Sequence, residues 1–224
     1  MPEAPVHRLK KDKVIWLANH RCRHGHSYLS HYNCYLTEHP EENKIGYFDI
    51  ESSSLVADFG FCIGWKILSE DDVMEGRMIT KDEVLSKKTR PDKQLMIELV
   101  ETLKRYDLIY TYYGTGFDFP FVRTRCLINN IDFPTFGSIK HKDLFYIIKS
   151  KFKLHRKSLE VACEMLLGKT NKTHWMGDHW IGAVQGKKES LDYIEDHCEK
   201  DVYDLKCLTK KVLDFANPVT TKSI

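Results

Sequence analysis

Two acidic residues, Asp49 and Glu51, interrupt an apolar stretch that runs from Ile45 to Ser52. Side chains two positions apart point to the same face of a β-strand, so the two carboxylates would lie side by side. If that face is buried, the two negative charges need compensation, and a divalent metal ion would provide it. The alternatives are an ion pair with a Lys or Arg, or a strand at an exposed edge. Further acids downstream would favour the metal.

Two more acids and a histidine occupy suitable positions. Asp118 follows a glycine-rich turn after an apolar strand, where it either caps the next helix or faces a site. Asp201 lies within the final helix, and Val202 and Leu205 place it near the apolar seam of that helix, although a mid-helix Asp is usually solvated. His197 precedes Asp201 by one helical turn and shares its face, or is a surface residue. The chain therefore offers four carboxylates and an imidazole that a fold could bring together.

The periodicity of the chain from residue 44 onward predicts the elements that must position these groups. Apolar and alternating runs predict strands at 45–51, 59–68, 75–80, 108–112 and 137–142. Helical spacing predicts helices at 95–105, 117–129, 144–152, 158–167 and 189–215. Three consecutive strands followed by alternating helices and strands predict an α/β fold, a mixed sheet with helices against it. Residues 1–43 lack sustained periodicity, so we expect regular structure to begin near Lys44.

Three motifs contain these residues: Phe48-Asp49-Ile50-Glu51, Gly114-x-x-Phe117-Asp118-x-Pro120-Phe121 and His197-Cys198-x-x-Asp201-Val202. In order and spacing they resemble the motifs of the DEDD superfamily of 3′ to 5′ exonucleases, the DnaQ-like group with the ribonuclease H fold. The stretch between the second and third motifs is similar to that of family B polymerase proofreading domains. The resemblance covers about residues 44–215.

The resemblance implies a ribonuclease H-like mixed β-sheet flanked by helices. It also implies a metal-dependent 3′ to 5′ exonuclease that hydrolyses phosphodiester bonds of DNA or RNA. Two Mg²⁺ or Mn²⁺ ions would be the cofactors, with Asp49 at both, Glu51 and Asp201 at the ion that activates water, and Asp118 at the other. An imidazole at His197 titrates near neutrality and could accept the proton of the attacking water.

Two positions depart from the family pattern. The family commonly has Asn before the glycine of the second motif, where this chain has Tyr113. In the third motif the spacing is that of the tyrosine branch, but His197 stands where that branch has Tyr. The first departure puts in doubt any substrate contact that the Asn makes in the family. The second raises the question of whether His197 is the general base.

A basic run with interspersed aromatic residues is the candidate substrate track. It extends from Lys140 to Lys157, and within it Lys149, Lys151 and Lys153 are the candidate phosphate contacts. A solvated helix face explains the same charges. Tyr113 and Phe117 are further candidate substrate contacts, although the Phe residues of the second motif are expected to lie mainly in the core.

A second metal site is predicted near the amino terminus. Five His and Cys residues fall close together there: Cys22, His24, His26, His31 and Cys34. Cys-x-His followed by His-x-x-Cys could bind one structural Zn²⁺ through Cys22, one of His24 or His26, His31 and Cys34. The alternative is a polar arm whose histidines meet solvent or nucleic acid. We therefore predict a small His/Cys-rich appendage at 1–43, a nuclease domain at 44–216 and a tail at 217–224.

Composition sets broad limits on these assignments. The chain has 224 residues, a formal net charge of +2 and seven cysteines. The cysteines beyond the cluster sit singly in apolar or helical patterns, which favours buried thiols and a reducing cytoplasm. The amino-terminal stretch lacks the apolar core of a secretory signal, and no stretch is long and apolar enough to span a bilayer, so no membrane partner is expected.

The partner we expect is nucleic acid with a single-stranded 3′ end. Because 224 residues leave no room for a polymerase region, we expect a stand-alone nuclease or a subunit. Two other functions stay open on the same fold. One is a nucleic-acid-binding module without catalysis, and the other is a structure-selective endonuclease.

Overall fold

A computed structural model describes residues 4, 6, 9–135, 137–174, 176–216 and 222–223 of the chain. A mixed sheet forms its centre, with strands β1 (Ile45–Ser52), β2 (Cys62–Ser69), β3 (Met74–Met78), β4 (Leu108–Thr111), β5 (Lys140–Asp143) and β6 (Lys222–Ser223). The strand order is β3-β2-β1-β4-β5-β6. Strands β1, β4 and β5 are parallel, whereas β2, β3 and β6 run antiparallel to their neighbours. The α/β class and the mixed sheet predicted from the sequence are confirmed.

The helices of the described residues are α1 (Lys11–Asn19), α2 (Tyr32–Glu38), α3 (Lys81–Leu85), α4 (Lys93–Leu103), α5 (Asp118–Ile128), α6 (Leu144–Lys151), α7 (Leu159–Leu167), α8 (Gly177–Ala183) and α9 (Lys188–Val212). A single 3-10 turn continues α9 through Phe215. In the part of the chain that the structure describes, no helix has the length and apolar character needed to cross a membrane.

The sheet separates two apolar layers. One face of β1 and β2, which includes Phe48 and Ile67, packs against α4 and α5. The opposite face, which includes Tyr47 and Leu68, packs against α6, α7 and α9. Every residue of β2 is buried, because helices cover both faces of the strand. This arrangement fixes β1 in the middle of the sheet and places α9 across it.

Several predicted boundaries differ from the structure. Strand β2 starts at Cys62 rather than near residue 59, because Phe59 is 88% exposed in the turn before it. The expectation that regular structure begins near Lys44 is wrong, since α1 and α2 precede that point. Both helices are short, with nine and seven residues, so neither shows a sustained period.

The residues before β1 have a small core of their own. Its buried members are Ala4, Leu17, Cys22, Tyr28, Tyr32, Tyr35 and Leu36. This core contacts the sheet region through Lys140 of β5, whose Nζ donates to the Asn33 carbonyl at 3.2 Å and to Thr37 Oγ1 at 3.1 Å. The predicted division at residues 43 and 216 remains a prediction. Within the predicted tail, residues 217–221 and 224 lie outside the described part of the chain.

Candidate active site

Strand β1 carries Asp49 and Glu51 on the sheet face that α9 covers. The alternation of β1 turns Phe48 and Ile50 into the opposite apolar layer, which leaves the two acids together. Lys66 lies directly opposite Asp49 on β2. Its ammonium, however, bonds to Glu195 Oε1 at 2.6 Å and to Glu199 Oε1 at 2.5 Å on α9. The cross-strand lysine is therefore paired with Glu195 and Glu199 rather than with Asp49.

Asp118 is the first residue of α5 and is only 3% exposed. Its Oδ1 accepts the backbone N–H of Ile50, at 3.2 Å, which joins α5 to the stretch of β1 between Asp49 and Glu51. The helix-capping alternative is not the main contact, because the residue at the cap position is Phe117 and no side-chain cap bond is formed there. Asp118 therefore faces the acids of β1.

Helix α9 brings His197 and Asp201 to the same place. The two residues lie one turn apart, and both are nearly buried, with 4% and 7% exposure. His197 Nε2 lies 3.9 Å from Glu51 Oε1 and 4.0 Å from Asp201 Oδ2. Its other nitrogen, Nδ1, lies 2.5 Å from Thr173 Oγ1. His197 is thus inside the acidic site, and the surface alternative is wrong.

Burial and crowding make these carboxylates difficult to ionise. Burial, followed by the charges of Asp118, Glu51 and Asp201, raises the pKa of Asp49 well above its usual value. Burial and then Asp201 raise the pKa of Glu51 to about 8, and burial raises the pKa of Asp118 to about 7. At neutral pH such a cluster requires a cation to keep its members charged.

Lys172 supplies one positive charge to the site. Burial alone would lower the pKa of its ammonium, but the hydrogen-bonded carboxylate of Asp201 and the charges of Asp49 and Glu51 raise it. Lys172 bonds to Oδ2 of Asp201, while Oδ1 of the same carboxylate is buried and has no hydrogen-bond partner among the described residues. A buried carboxylate oxygen without a partner is costly, so a further ligand is expected there.

The acids fit a divalent cation. Ligand atoms of Asp49, Glu51 and Cys198 lie within 4.8 Å of one another, and the Cys198 thiol donates to Asp49 Oδ2 at 3.6 Å. A thiol that remains protonated is a poor ligand for a hard cation, and burial raises the pKa of Cys198 well above its usual value. The carboxylates, including the free Oδ1 of Asp201, are the hard oxygen ligands that Mg²⁺ and Mn²⁺ prefer.

Asp143 holds the turn that precedes Asp118. Its Oδ1 accepts the N–H groups of Tyr113 and Phe145, at 2.8 and 3.1 Å, and its Oδ2 accepts that of Thr115, at 2.9 Å. Tyr113 has a φ of +68°, in the left-handed region. Asn enters this region more easily than Tyr does, so Tyr113 adds backbone strain to the turn. The strained turn is thus stabilised by one carboxylate from β5.

A cavity of about 770 Å³ opens onto the acids. The acidic end includes Asp49, Glu51 and Asp201, together with His197 and Lys172. The rest of the lining includes five aromatic residues: Tyr112, Tyr113, Phe117, Phe145 and Trp180. The rings of Tyr113 and Phe145 meet edge to face, with centroids 4.9 Å apart. A groove with carboxylates at one end and aromatic rings along its wall has the features of a nucleic-acid site.

The candidate substrate contacts divide into two groups. Tyr113 and Phe117 line the cavity, whereas Lys149, Lys151 and Lys153 are exposed and lie outside its lining. Lys149 comes nearest through Phe145, with its Nζ 5.9 Å from that ring centroid. Two other members of the basic run, Arg156 and Lys157, do line the cavity. Nucleic-acid binding by the three lysines remains a prediction.

Sequence reasoning overlooked Lys172 and Asp143 as members of this site. Lys172 lies in an irregular segment without periodicity, so nothing in the sequence marks it. Asp143 follows a strand and precedes α6, where its side chain also caps the helix, and a strand-ending acid was the available signal. The role expected for Phe119 and Phe121 is confirmed, since both are buried in the core.

The amino-terminal His and Cys residues also come together in part. Side-chain ligand atoms of Cys22, His24, His31 and Cys34 form one group, and His26 is outside it. The sequence also offers His174, Asp178 and His179, either as another metal group or as residues that pack beside Trp175 and Trp180. Within the described residues these three form no metal-ligand group. His179 instead stacks on Tyr193, with ring centroids 3.9 Å apart. Trp175, an expected packing partner of that trio, lies outside the described residues.

Comparison with known proteins agrees with this architecture. Residues 46–213 match the model of the RNase_H superfamily, and the chain belongs to that superfamily, whose members are usually nucleases and generally use divalent metals. A curated DNA polymerase of Methanocaldococcus jannaschii is 51% identical over 41 residues, which is 18% of this chain and 2% of the polymerase. The family B DNA polymerase of Pyrobaculum calidifontis has a similar structure, with a TM-score of 0.63 and 16% identity. That similarity covers 76% of this chain and 24% of the polymerase, and it shows the ribonuclease H-like fold.

Proposed function

We propose that this protein is a divalent-metal-dependent 3′ to 5′ exonuclease that acts on single-stranded nucleic acid. The observation that carries the proposal is the convergence of four carboxylates from β1, α5 and α9. Asp49, Glu51 and Asp201 line one end of an aromatic-lined cavity, and Asp118 accepts the Ile50 N–H between the two acids of β1. The match to the RNase_H superfamily supports a nuclease, and the similarity to a family B DNA polymerase supports the fold. The chain spans only a small part of both polymerases.

The carboxylates of Asp49, Glu51, Asp118 and Asp201 would hold two Mg²⁺ or Mn²⁺ ions. When bound, these ions supply neutralisation of the scissile phosphate and activation of water. The ammonium of Lys172 reduces the negative charge on Asp201 and lines the cavity, so a phosphate can approach the acids with less repulsion.

His197 is placed to accept a proton. If Nδ1 donates its hydrogen to Thr173 Oγ1, the lone pair of Nε2 points toward Glu51 and Asp201. Burial lowers the pKa of His197 below its ordinary value of 6.5, although Asp201 opposes that shift, so the ring is neutral at physiological pH. A neutral imidazole beside the attacking water is a competent general base.

The aromatic wall and the basic rim would hold the strand. Tyr113 is 46% exposed, so its ring can stack on a base, and Phe145 supports it edge to face. Arg156 and Lys157 at the rim would contact the phosphate backbone. Base stacking and phosphate contact carry no sequence information, so we expect degradation without strong sequence preference.

The test uses linear single strands of DNA and RNA labelled at either end, together with a circular single strand, in Mg²⁺ or Mn²⁺. The expected result is progressive shortening of a strand labelled at its 5′ end, loss of a 3′ label as mononucleotide, and an intact circle. Cleavage of the circle would show an endonuclease. Binding of the strand without cleavage in either metal would show a non-catalytic module.

A further inference from the structure

The residues before β1 are called the amino-terminal module here. We propose that this module binds one structural Zn²⁺ through Cys22, His24, His31 and Cys34, at a site that is separate from the nuclease centre. One ligand atom of each residue lies within 4.8 Å of all the others. The sulfur of Cys34 is 3.4 Å from His24 Nδ1 and 3.6 Å from His31 Nδ1. The sulfur of Cys22 is 3.9 and 3.7 Å from the same two nitrogens.

These distances are those of a tetrahedral zinc site. Bonds of about 2.3 Å from zinc to sulfur and about 2.05 Å from zinc to nitrogen place ligand S and N atoms about 3.6 Å apart in a tetrahedron. The observed values lie on both sides of that figure, so an ion fits at the centre without moving the chain. Two thiolates and two neutral imidazoles also balance the charge of Zn²⁺.

The local backbone explains how two sequence-adjacent pairs face each other. The N–H of Cys22 donates to the His26 carbonyl at 2.9 Å, and the N–H of Gly25 donates to the Cys22 carbonyl at 2.8 Å. Gly25 has a φ of +80°, which a glycine adopts at no steric cost and which closes this tight turn. The turn points Cys22 and His24 to the same side.

The second pair comes from the start of α2. His31 is the residue before the helix, and Cys34 follows it by three positions, so both lie on one face of the first turn. The N–H of Cys34 donates to the His31 carbonyl at 2.9 Å. A turn that supplies Cys-x-His and a helix start that supplies His-x-x-Cys together surround a single point.

His26 is excluded from the ligand set and becomes a natural control. Its ring packs on that of His31, with centroids 4.1 Å apart, and it contributes no atom to the four-residue group. The sequence could not distinguish His24 from His26. The turn at Gly25 places His24 near the sulfurs of Cys22 and Cys34, whereas the ring of His26 packs against the ring of His31.

The amino-terminal module is expected to depend on a bound metal for its stability. Among the described residues, its separate core holds seven buried members, too few to stabilise an independent unit of this size. Four protein ligands fill a tetrahedral zinc site and leave no position for substrate, so the role is structural rather than catalytic. The ion would fix α2, which carries the contacts of Asn33 and Thr37 with Lys140 of the nuclease sheet.

The test begins with the full chain purified under reducing conditions without chelator. We expect about one zinc per chain by elemental analysis. Exchange with Co²⁺ should give the strong visible bands of a tetrahedral cobalt site with thiolate ligands. Absence of zinc together with no such bands on Co²⁺ titration would overturn the proposal.

Two matched pairs of variants identify the ligands. Cys34→Ser should lower Zn²⁺ affinity by more than about tenfold, whereas His26→Asn should leave it unchanged. His24→Cys should keep the metal and increase the sulfur-to-cobalt charge-transfer absorption, because it adds a third thiolate, whereas His26→Cys should not. Equal effects at positions 24 and 26 would contradict the assignment. Asp49→Asn, which targets the nuclease centre, should retain full zinc content, so the two proposals can fail separately.

Discussion

The imidazole of His197 lies 3.9 Å, Nε2 to Oε1, from the carboxylate of Glu51, so the last long helix and the first strand meet at a pair of titratable groups. This contact depends on the packing of α9 across the sheet face that carries Asp49 and Glu51. It brings a proton acceptor to within reach of any water that the carboxylates help to bind.

His197→Ala is therefore expected to lower kcat for strand degradation by about 10²-fold or more, with little change in KM, because the ring acts on the proton of the attacking water and not on the strand. Steady-state kinetics on a 5′-labelled strand measures both constants. His174→Ala is the control, since His174 is exposed and its carbonyl, not its ring, accepts the bond from Tyr193. A kcat within twofold of the wild type would remove His197 from the mechanism.

The stability of metal-free protein is expected to fall as pH rises from about 5 to about 8. Glu51 has a pKa near 8 when folded and an ordinary value of 4.5, and Asp118 has one near 7 against 3.8. The folded state therefore holds protons that the unfolded chain has released, and raising the pH favours unfolding over that window. Thermal unfolding at several pH values measures the trend, in chelator-free buffer that lacks Mg²⁺ and Mn²⁺ so that the proposed zinc stays bound.

Two controls accompany that experiment. Added Mg²⁺ should restore the melting temperature at pH 8, because the ion replaces the protons. Glu51→Gln should flatten the dependence on pH. A melting temperature that rises between pH 5 and pH 8 without Mg²⁺ or Mn²⁺ would show that the acids are not buried as described.

Asp143→Ala is expected to lower the free energy of unfolding by about 2 kcal/mol, because three backbone N–H groups lose a charged acceptor. The variant should also raise KM, since the turn that carries Tyr113 loses its support. Urea unfolding and steady-state kinetics measure the two effects. Asp132→Ala, at an exposed acid, is the control. Wild-type stability in Asp143→Ala would mean that the turn is held by other contacts.

The basic residues at the cavity should matter more than those on α6 and just after it. Replacing Arg156 and Lys157 with Gln is expected to reduce the slope of log affinity against log salt by about 1–2, because two phosphate contacts are lost. Replacing Lys151 and Lys153 with Gln should leave the slope within error. The reverse result would favour the lysine track predicted from the sequence over the rim of the cavity.

Some residues of the site could be identified from the sequence, and others could not. Asp49, Glu51, Asp118 and Asp201 could be identified because each stands at a fixed place relative to a strand, a turn or a helix, and the order of those elements predicts the sheet. Lys172 could not, because its position depends on an irregular segment that folds back over α9. The choice of His24 over His26 likewise depends on the φ of Gly25, which residue order alone does not reveal.

The converging carboxylates are proposed to hold the catalytic metal, and a substitution at Asp49 removes one of the proposed ligands. The measurement is the kcat for degradation of a 5′-labelled single strand in Mn²⁺ by Asp49→Asn, compared with Asp58→Asn at an exposed acid of the following turn. We predict a loss of about 10³-fold for Asp49→Asn and wild-type activity for Asp58→Asn. Metal-dependent cleavage by Asp49→Asn at the wild-type rate would contradict the assignment of this site.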